Sequence, residues 1–167
     1  MGPSRARAPS AADADLNWTF LFGFTNALAL AGWVMLALLP RGPRLMSVIL
    51  YGCVAILCLI YGVLVVMLLG KFVDPGAVAG ASGQGDFQSI AGIRGLFASD
   101  GGIVIGWMHY LAFDLFVGLW IAKDADNKGF SRLVQFPFLF ATLMAGPLGL
   151  FAWLVTREAR ARRMAKA

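Results

Sequence analysis

The chain has 167 residues, 59% of them apolar and only 14% charged, with a formal net charge of +5. A soluble domain carries about 25% charged residues, so this one cannot clothe a globule in water, and a bilayer is the remaining solvent. The positive charge does not call for nucleic acid, because the basic C-tail adjoins an apolar run, where anionic lipid headgroups accept Lys and Arg at about 1 kcal/mol each.

Residues 1–15, MGPSRARAPSAADAD, are rich in Pro, Ala, Ser and charge and predict a disordered tail. The first apolar run, Leu16 to Leu39, ends at Pro40-Arg41-Gly42-Pro43. Within it Ala27-Leu28-Ala29 mimics a signal-peptide cleavage site, but the apolar stretch continues for ten residues beyond, too long for a signal sequence. Asn26 falls about mid-run, where an unpartnered amide is costly. A hydrogen bond to another helix is expected there, with contact to a ligand as the alternative.

The second run is Leu45 to Gly70 and holds Cys53 and Cys58, five apart. That spacing is neither a redox pair nor a metal pair, so both read as packing residues. The loop from Phe72 to Gly101 begins with VDPGAVAGASGQGD, a flexible composition. It continues with Phe87, Ile90, Ile93, Leu96 and Phe97 at spacings of three and four, which predict a short helix in the membrane interface. The third run, Gly102 to Ala122, opens with Gly102-x-x-x-Gly106, a pattern that lets helices approach closely. The fourth, Leu133 to Val155, contains Pro147, which cannot donate to the carbonyl of Leu143 and predicts a kink.

At ~1.5 Å per residue each run can cross a hydrocarbon core of ~30 Å. The expected architecture is therefore an all-α membrane protein with four transmembrane helices over residues 16–156. An interfacial helix precedes the third span, and a basic tail occupies 157–167. Four spans put Arg5, Arg7, Lys71, Arg94, Arg157, Arg160, Arg162, Arg163 and Lys166 on one side, nine against the five of Arg41, Arg44, Lys123, Lys128 and Arg132. The bias predicts both termini in the cytoplasm.

The segment GWMHYLAFDLFVGLW, residues 106–120, carries the only histidine, His109, and the acid Asp114. An ionised Asp at such depth costs roughly 2.5–3.5 kcal/mol, so its side chain should face protein or a cavity. At ~100° per residue Trp107, Tyr110 and Asp114 share one stripe, and His109, Phe113, Phe116 and Trp120 the next. About 140° separates His109 from Asp114: the two do not pair along the helix, but they can border one pocket. The structural alternative bonds Asp114 to Asn26 or to backbone freed by Pro147, with His109 a core residue or interfacial anchor. Otherwise the two imply acid/base chemistry on an apolar molecule in an aromatic pocket. One histidine without a Cys/His cluster supports no zinc, di-iron or bis-histidine haem site, so neither metal nor cofactor is expected.

The run GWMHYLAFDLFVGLWIAKDA resembles the signature of the abscisic-acid-deficient-four-like family, whose plant members are called neoxanthin synthases. NALALAGWVMLALLP at Asn26 to Pro40, FQSIAGIRGLF at Phe87 to Phe97 and AGPLGLFAWLVTR at Ala145 to Arg157 resemble it too. The resemblance implies a four-span protein of carotenoid metabolism. In the plant reaction a base takes a vinylic proton, an allene forms, and an acid protonates the opening epoxide oxygen, with no net redox change. His109 would be the base and Asp114 or Tyr110 the acid. Asn26, Trp33, Arg94, Trp107, Phe113 and Trp120 are the candidate substrate contacts.

Lacking a plastid transit peptide, the chain resembles a bacterial relative in the cytoplasmic membrane, and its substrate is open among carotenoids and other apolar isoprenoids. The alternative is a non-enzymatic membrane protein that binds a carotenoid or retinoid or assembles a complex, homo-oligomers included. A transporter is disfavoured by the single buried acid and the absence of an internal repeat.

Overall fold

A computed structural model describes residues 16–76 and 85–164, and among them every regular element is helical. The tail at 1–15, residues 77–84 of the loop expected to be flexible, and 165–167 lie outside the described residues.

Helix α1, Trp18–Leu38, starts where the Asn17 side chain accepts the Phe20 N–H at 2.9 Å. Its far end is closed by Arg41, whose Nε donates to the Leu36 carbonyl at 2.9 Å, filling an acceptor that the helix itself leaves open. Helix α2, Pro43–Leu69, opens with a proline where the missing N–H costs nothing. It carries a π-helical turn at Leu50–Val54. The short helix α3, Ile90–Leu96, is capped by Ser89 Oγ on the Gly92 N–H. Helix α4, Asp100–Asn127, is capped in the same way by Ser99 Oγ on the Gly102 N–H. Helices α1, α2 and α4 are long and apolar enough to cross a membrane.

Helices α1 and α2 pack along α4. Trp33 of α1 is buried where α4 has only Gly118, and a side-chain carbon there would strike the indole. Gly32 in turn leaves room for Leu115 of α4 and Cys53 of α2. Cys53 is buried in the core that Trp33, Leu36, Ile49, Leu115 and Leu119 share, the packing role expected of it. The pair Gly102 and Gly106 does not receive another long helix. It receives Leu96 and Phe97 at the end of α3.

The fourth apolar run departs most from expectation. It forms two helices, α5 (Arg132–Met144) and α6 (Gly146–Met164), separated at Ala145, whose φ of −155° and ψ of 74° leave the helical range. Pro147 sits in the first turn of α6, where its lack of an N–H is harmless. The chain does not kink there; it reverses. Gly149 lies directly against the backbone of Thr142. Farther down, the Trp153 ring meets Phe138 edge-on at 5.4 Å. Trp153 Nε1 and Arg157 both reach Asp124 near the end of α4. The tip, Gly146, lies against the Asp114 carboxyl midway along α4. Neither arm is among the helices long and apolar enough to cross a membrane: α5 has thirteen residues, about 20 Å against a core of ~30 Å, and α6 turns charged from Arg157 on.

The expected single crossing over Leu133 to Val155 is thus replaced by a helical hairpin whose base lies beside the α1–α2 turn. At that base Arg132 donates to the Leu39 carbonyl at 2.8 Å. The expected tail from 157 instead continues α6 to Met164.

Candidate functional site

Helix α4 presents different residues to its two flanks, and the candidate residues divide between them. On the flank toward α2, the His109 ring stacks on Phe113 with centroids 4.6 Å apart and lies 5.8 Å from Tyr61 of α2. Tyr110 stands edge-on to the imidazole at 6.1 Å. His109 and Tyr110 are both exposed on the outside of the bundle, so the histidine is not a core residue.

Below them runs a groove between α2 and α4. Its inner part, about 430 Å³, is walled almost wholly by apolar atoms of Leu50, Tyr51, Val54, Ala112, Phe113 and Phe116. Its outer part, about 660 Å³, shares Leu50, Tyr51 and Phe116 and ends among Ser47, Lys123, Asp126 and Asn127. The cleft therefore grades from oil-like to polar along its length. From His109 to Asn127 is eighteen residues, about 27 Å of helix.

The π-helical turn shapes the α2 wall. One extra residue per turn displaces the following side chains around the helix, and Leu50, Tyr51 and Val54 all belong both to that turn and to the groove. No residue pattern in α2 announces such a turn, so the sequence reading lacked Tyr51 as a wall residue, and Tyr61 with it.

The other flank of α4 faces α1 and the hairpin. Trp107 Nε1 donates to Asn26 Oδ1 at 3.1 Å, while Asn26 Nδ2 donates to the Phe22 carbonyl at 2.7 Å. The amide thus bonds one helix to another, the structural alternative expected for it. Asp114 makes no hydrogen bond among the described residues. It is half-buried and packs on Gly146 at the hairpin tip, and it lines neither part of the groove.

His109 and Asp114 thus do not converge on one pocket, and neither Asn26 nor freed backbone partners the acid. Trp33, 5% exposed, belongs to the core and is not available to a ligand. Arg94 is exposed on α3, away from the groove walls. Of the expected contacts, Phe113 and Trp120 do line the groove.

The polar end of the groove is built by the hairpin base. Asp124 accepts from Arg157 Nε at 2.7 Å and Nη2 at 2.9 Å, from Lys128 Nζ at 2.6 Å and from Trp153 Nε1 at 3.1 Å. The Arg157 guanidinium also lies over the Trp120 ring, 5.4 Å from its centre. Arg41 bridges Asp126 and Gln135 with its side chain only 3% exposed, and burial draws its pKa down while the Asp126 carboxylate opposes that shift. Gln135, fully buried, donates to Asp126 and to the Phe130 carbonyl, both at 2.8 Å. Asp124, Arg157, Lys128, Arg41 and Asp126 are thus all partnered, as a low-dielectric setting requires.

Comparison with known proteins adds one finding. No curated protein and no solved structure matches the chain. The family model described as ABA DEFICIENT 4-like matches residues 20–153, which takes in α1, α2, the groove and the hairpin tip. The chain, an all-helical protein with membrane-spanning helices, belongs to the ABA DEFICIENT 4-like family, a family of the carotenoid and abscisic acid pathway.

Proposed function

We propose that the chain holds an elongated apolar polyene of the carotenoid class in the α2–α4 groove and isomerises it by proton transfer, without a redox cofactor. The observation that carries the reading is the graded cleft. A long hydrocarbon fits against Leu50, Tyr51, Val54 and Phe116, and a hydroxylated end ring fits beside Ser47, Lys123 and Asn127. Pockets for small molecules are typically ~300–1,000 Å³ and apolar with a few placed polar groups, and both parts fall in that range.

His109, which stacks on the groove residue Phe113 without itself lining the cleft, is the candidate base, and Tyr110 beside it the candidate acid. The base removes a vinylic proton, the electron pair forms the new double bond, the epoxide C–O bond opens, and the oxygen gains a proton. Atoms and electrons balance without an oxidant. Each role contributes ~10²- to 10⁴-fold where it operates. Asp114, which faces the hairpin instead, is assigned to seating the tip.

A second reading follows from the imidazole's surroundings: among the described residues His109 has ring contacts but no hydrogen bond to orient it, which favours a protein that binds pigment unaltered. Expression in a carotenoid-producing host, with pigments separated by chromatography, divides the two. A new pigment that disappears in His109→Ala and Tyr110→Phe at unchanged protein level supports catalysis. Unaltered pigment that co-purifies, and is lost on Phe116→Ala, supports binding alone. Product formation indifferent to both His109 and Tyr110 refutes the assignment.

A further inference from the structure

The hairpin changes which parts of the chain share a side of the membrane. Helices α1, α2 and α4 each run the length of the bundle. The α1–α2 turn and the C-terminal end of α4 therefore lie at one end, and the start of α1 with residues 70–76 and 85–99 at the other. A fourth crossing would return the C-terminus to the end where α1 begins. The reversal at Ala145 does not: Arg157 is anchored to Asp124, at the end α5 left from. Both arms turn large apolar side chains outward, Phe136, Phe140 and Met144 on α5 and Leu148, Phe151 and Val155 on α6. That is the surface of a hairpin dipped into lipid and not of one standing in water.

Charge then separates the two ends. Counting residues whose side chains are described, the hairpin end holds Arg41, Arg44, Lys123, Lys128, Arg132, Arg157 and Arg162, seven in all, and the opposite end holds Lys71 and Arg94, two. Lys and Arg near span ends set orientation toward the cytoplasm. Arg44 and Lys123 are exposed and bond to no acid among the described residues, and Arg162, also exposed, pairs with Glu158 one turn away, so this end keeps charge available to an anionic surface, as a polybasic end requires.

We propose that the chain crosses the membrane three times and that the α5–α6 hairpin enters and leaves at the cytoplasmic face. There the basic end of the bundle rests on anionic lipid headgroups, and the start of α1 and the end of α6 lie on opposite faces. This reverses the shared side expected from four crossings, because the hairpin removes the last one.

Single cysteines at exposed positions test it, in the full chain with Cys53→Ala and Cys58→Ala, against a membrane-impermeant maleimide in intact cells and in inverted vesicles. Gln88→Cys is expected to label from outside, and Ser131→Cys and Glu158→Cys only in inverted vesicles. Labelling after solubilisation in mild detergent checks that each variant is intact. Glu158→Cys sharing a face with Gln88→Cys restores four crossings and overturns the proposal. Ser131→Cys and Glu158→Cys labelling together from outside overturns the orientation. For the headgroups, the purified chain is expected to retain phosphatidylglycerol several-fold over phosphatidylethanolamine from a mixed membrane. The triple variant Arg44→Gln, Lys123→Gln, Arg162→Gln is expected to lose that preference. Equal retention of the two lipids by the unaltered chain, or an undiminished preference in the variant, overturns the lipid contact.

Discussion

Asp124 holds the hairpin to the rest of the bundle, and its replacement gives the sharpest test of how the fold is tied. The carboxylate takes two bonds from Arg157, one from Lys128 and one from the Trp153 indole, with its side chain 13% exposed against 29% for Arg157. A fully exposed ion pair is worth ~0.2–1 kcal/mol, while removing one partner of a buried pair costs ~3–5 kcal/mol. This pair sits between those limits. The Lys128 bond joins residues four apart on one stretch of chain, ~0.2–0.5 kcal/mol of helix support, and does not tie the hairpin. Asp124→Asn is therefore expected to destabilise the protein by about 2 kcal/mol, between the exposed and buried limits.

The share belonging to Arg157 comes from a double-mutant cycle with Arg157→Gln. The expected coupling is about 1–2 kcal/mol, inside the ~0.5–3 kcal/mol range of directly bonded residues. Equilibrium unfolding in mixed micelles, followed by tryptophan fluorescence, measures all four corners, and Trp153 reports from within the cluster. Additivity to within ~0.5 kcal/mol would refute the account, because residues that tie the hairpin together cannot act independently.

Two further outcomes follow from the same structure. Gly146→Ala puts a carbon onto the Asp114 carboxyl and is expected to loosen the tip by ~1–3 kcal/mol as other overpacking changes do; protease sensitivity around Ala145 should rise, and adding Asp114→Ala should reverse it. Asp86 accepts the backbone N–H of Gln88 at 2.8 Å and of Ser89 at 2.9 Å, which holds its pKa below the usual carboxylate value. A depressed pKa means the turn leading into α3 keeps its full support above the ordinary value of ~3.9. That support is lost only as pH falls through the lowered value. Protection of the Gln88 and Ser89 amides, measured against the intrinsic exchange rate at each pH, should therefore hold at pH 5 and fall in stronger acid, while Asp86→Asn removes that fall.

Much of the bundle was legible in the residues. Three apolar runs of the right length became three long helices, and the spacing from Ile90 to Leu96 marked α3. Asn26 was readable as a helix-to-helix bond because an amide in oil has few other options. The hairpin was not legible. Leu133 to Val155 satisfies a length and hydropathy criterion whether it runs straight or folds back, and Ala-Gly-Pro reads as a kink in the first case and a turn in the second. What decides between them is a partner far away in sequence, the Asp124 carboxylate that Arg157 and Trp153 reach from α6.

The candidate site divided for a related reason. Helical angles correctly separated the His109 stripe from the Asp114 stripe. Nothing local, however, reveals that α2 covers one flank while a returning hairpin covers the other. Trp33 looked like a ligand contact by residue type, but Gly118 gives its ring a socket in the core.

The five residues from Leu50 to Val54 carry an implication for how the cleft is tuned. Wound as ordinary α-helix, the same residues would swing everything downstream, Leu57, Tyr61 and Leu64 among it, by about 100° relative to the first turns of α2, whereas excising one residue would restore ordinary winding and leave both ends in place. Leu57 and Leu64 are both buried in the core, so neither half of the rod can rotate freely to compensate. The irregular coil acts as a spacer that lets two separately anchored lengths coexist, and it leaves the phenol of Tyr51 on the open side as a consequence.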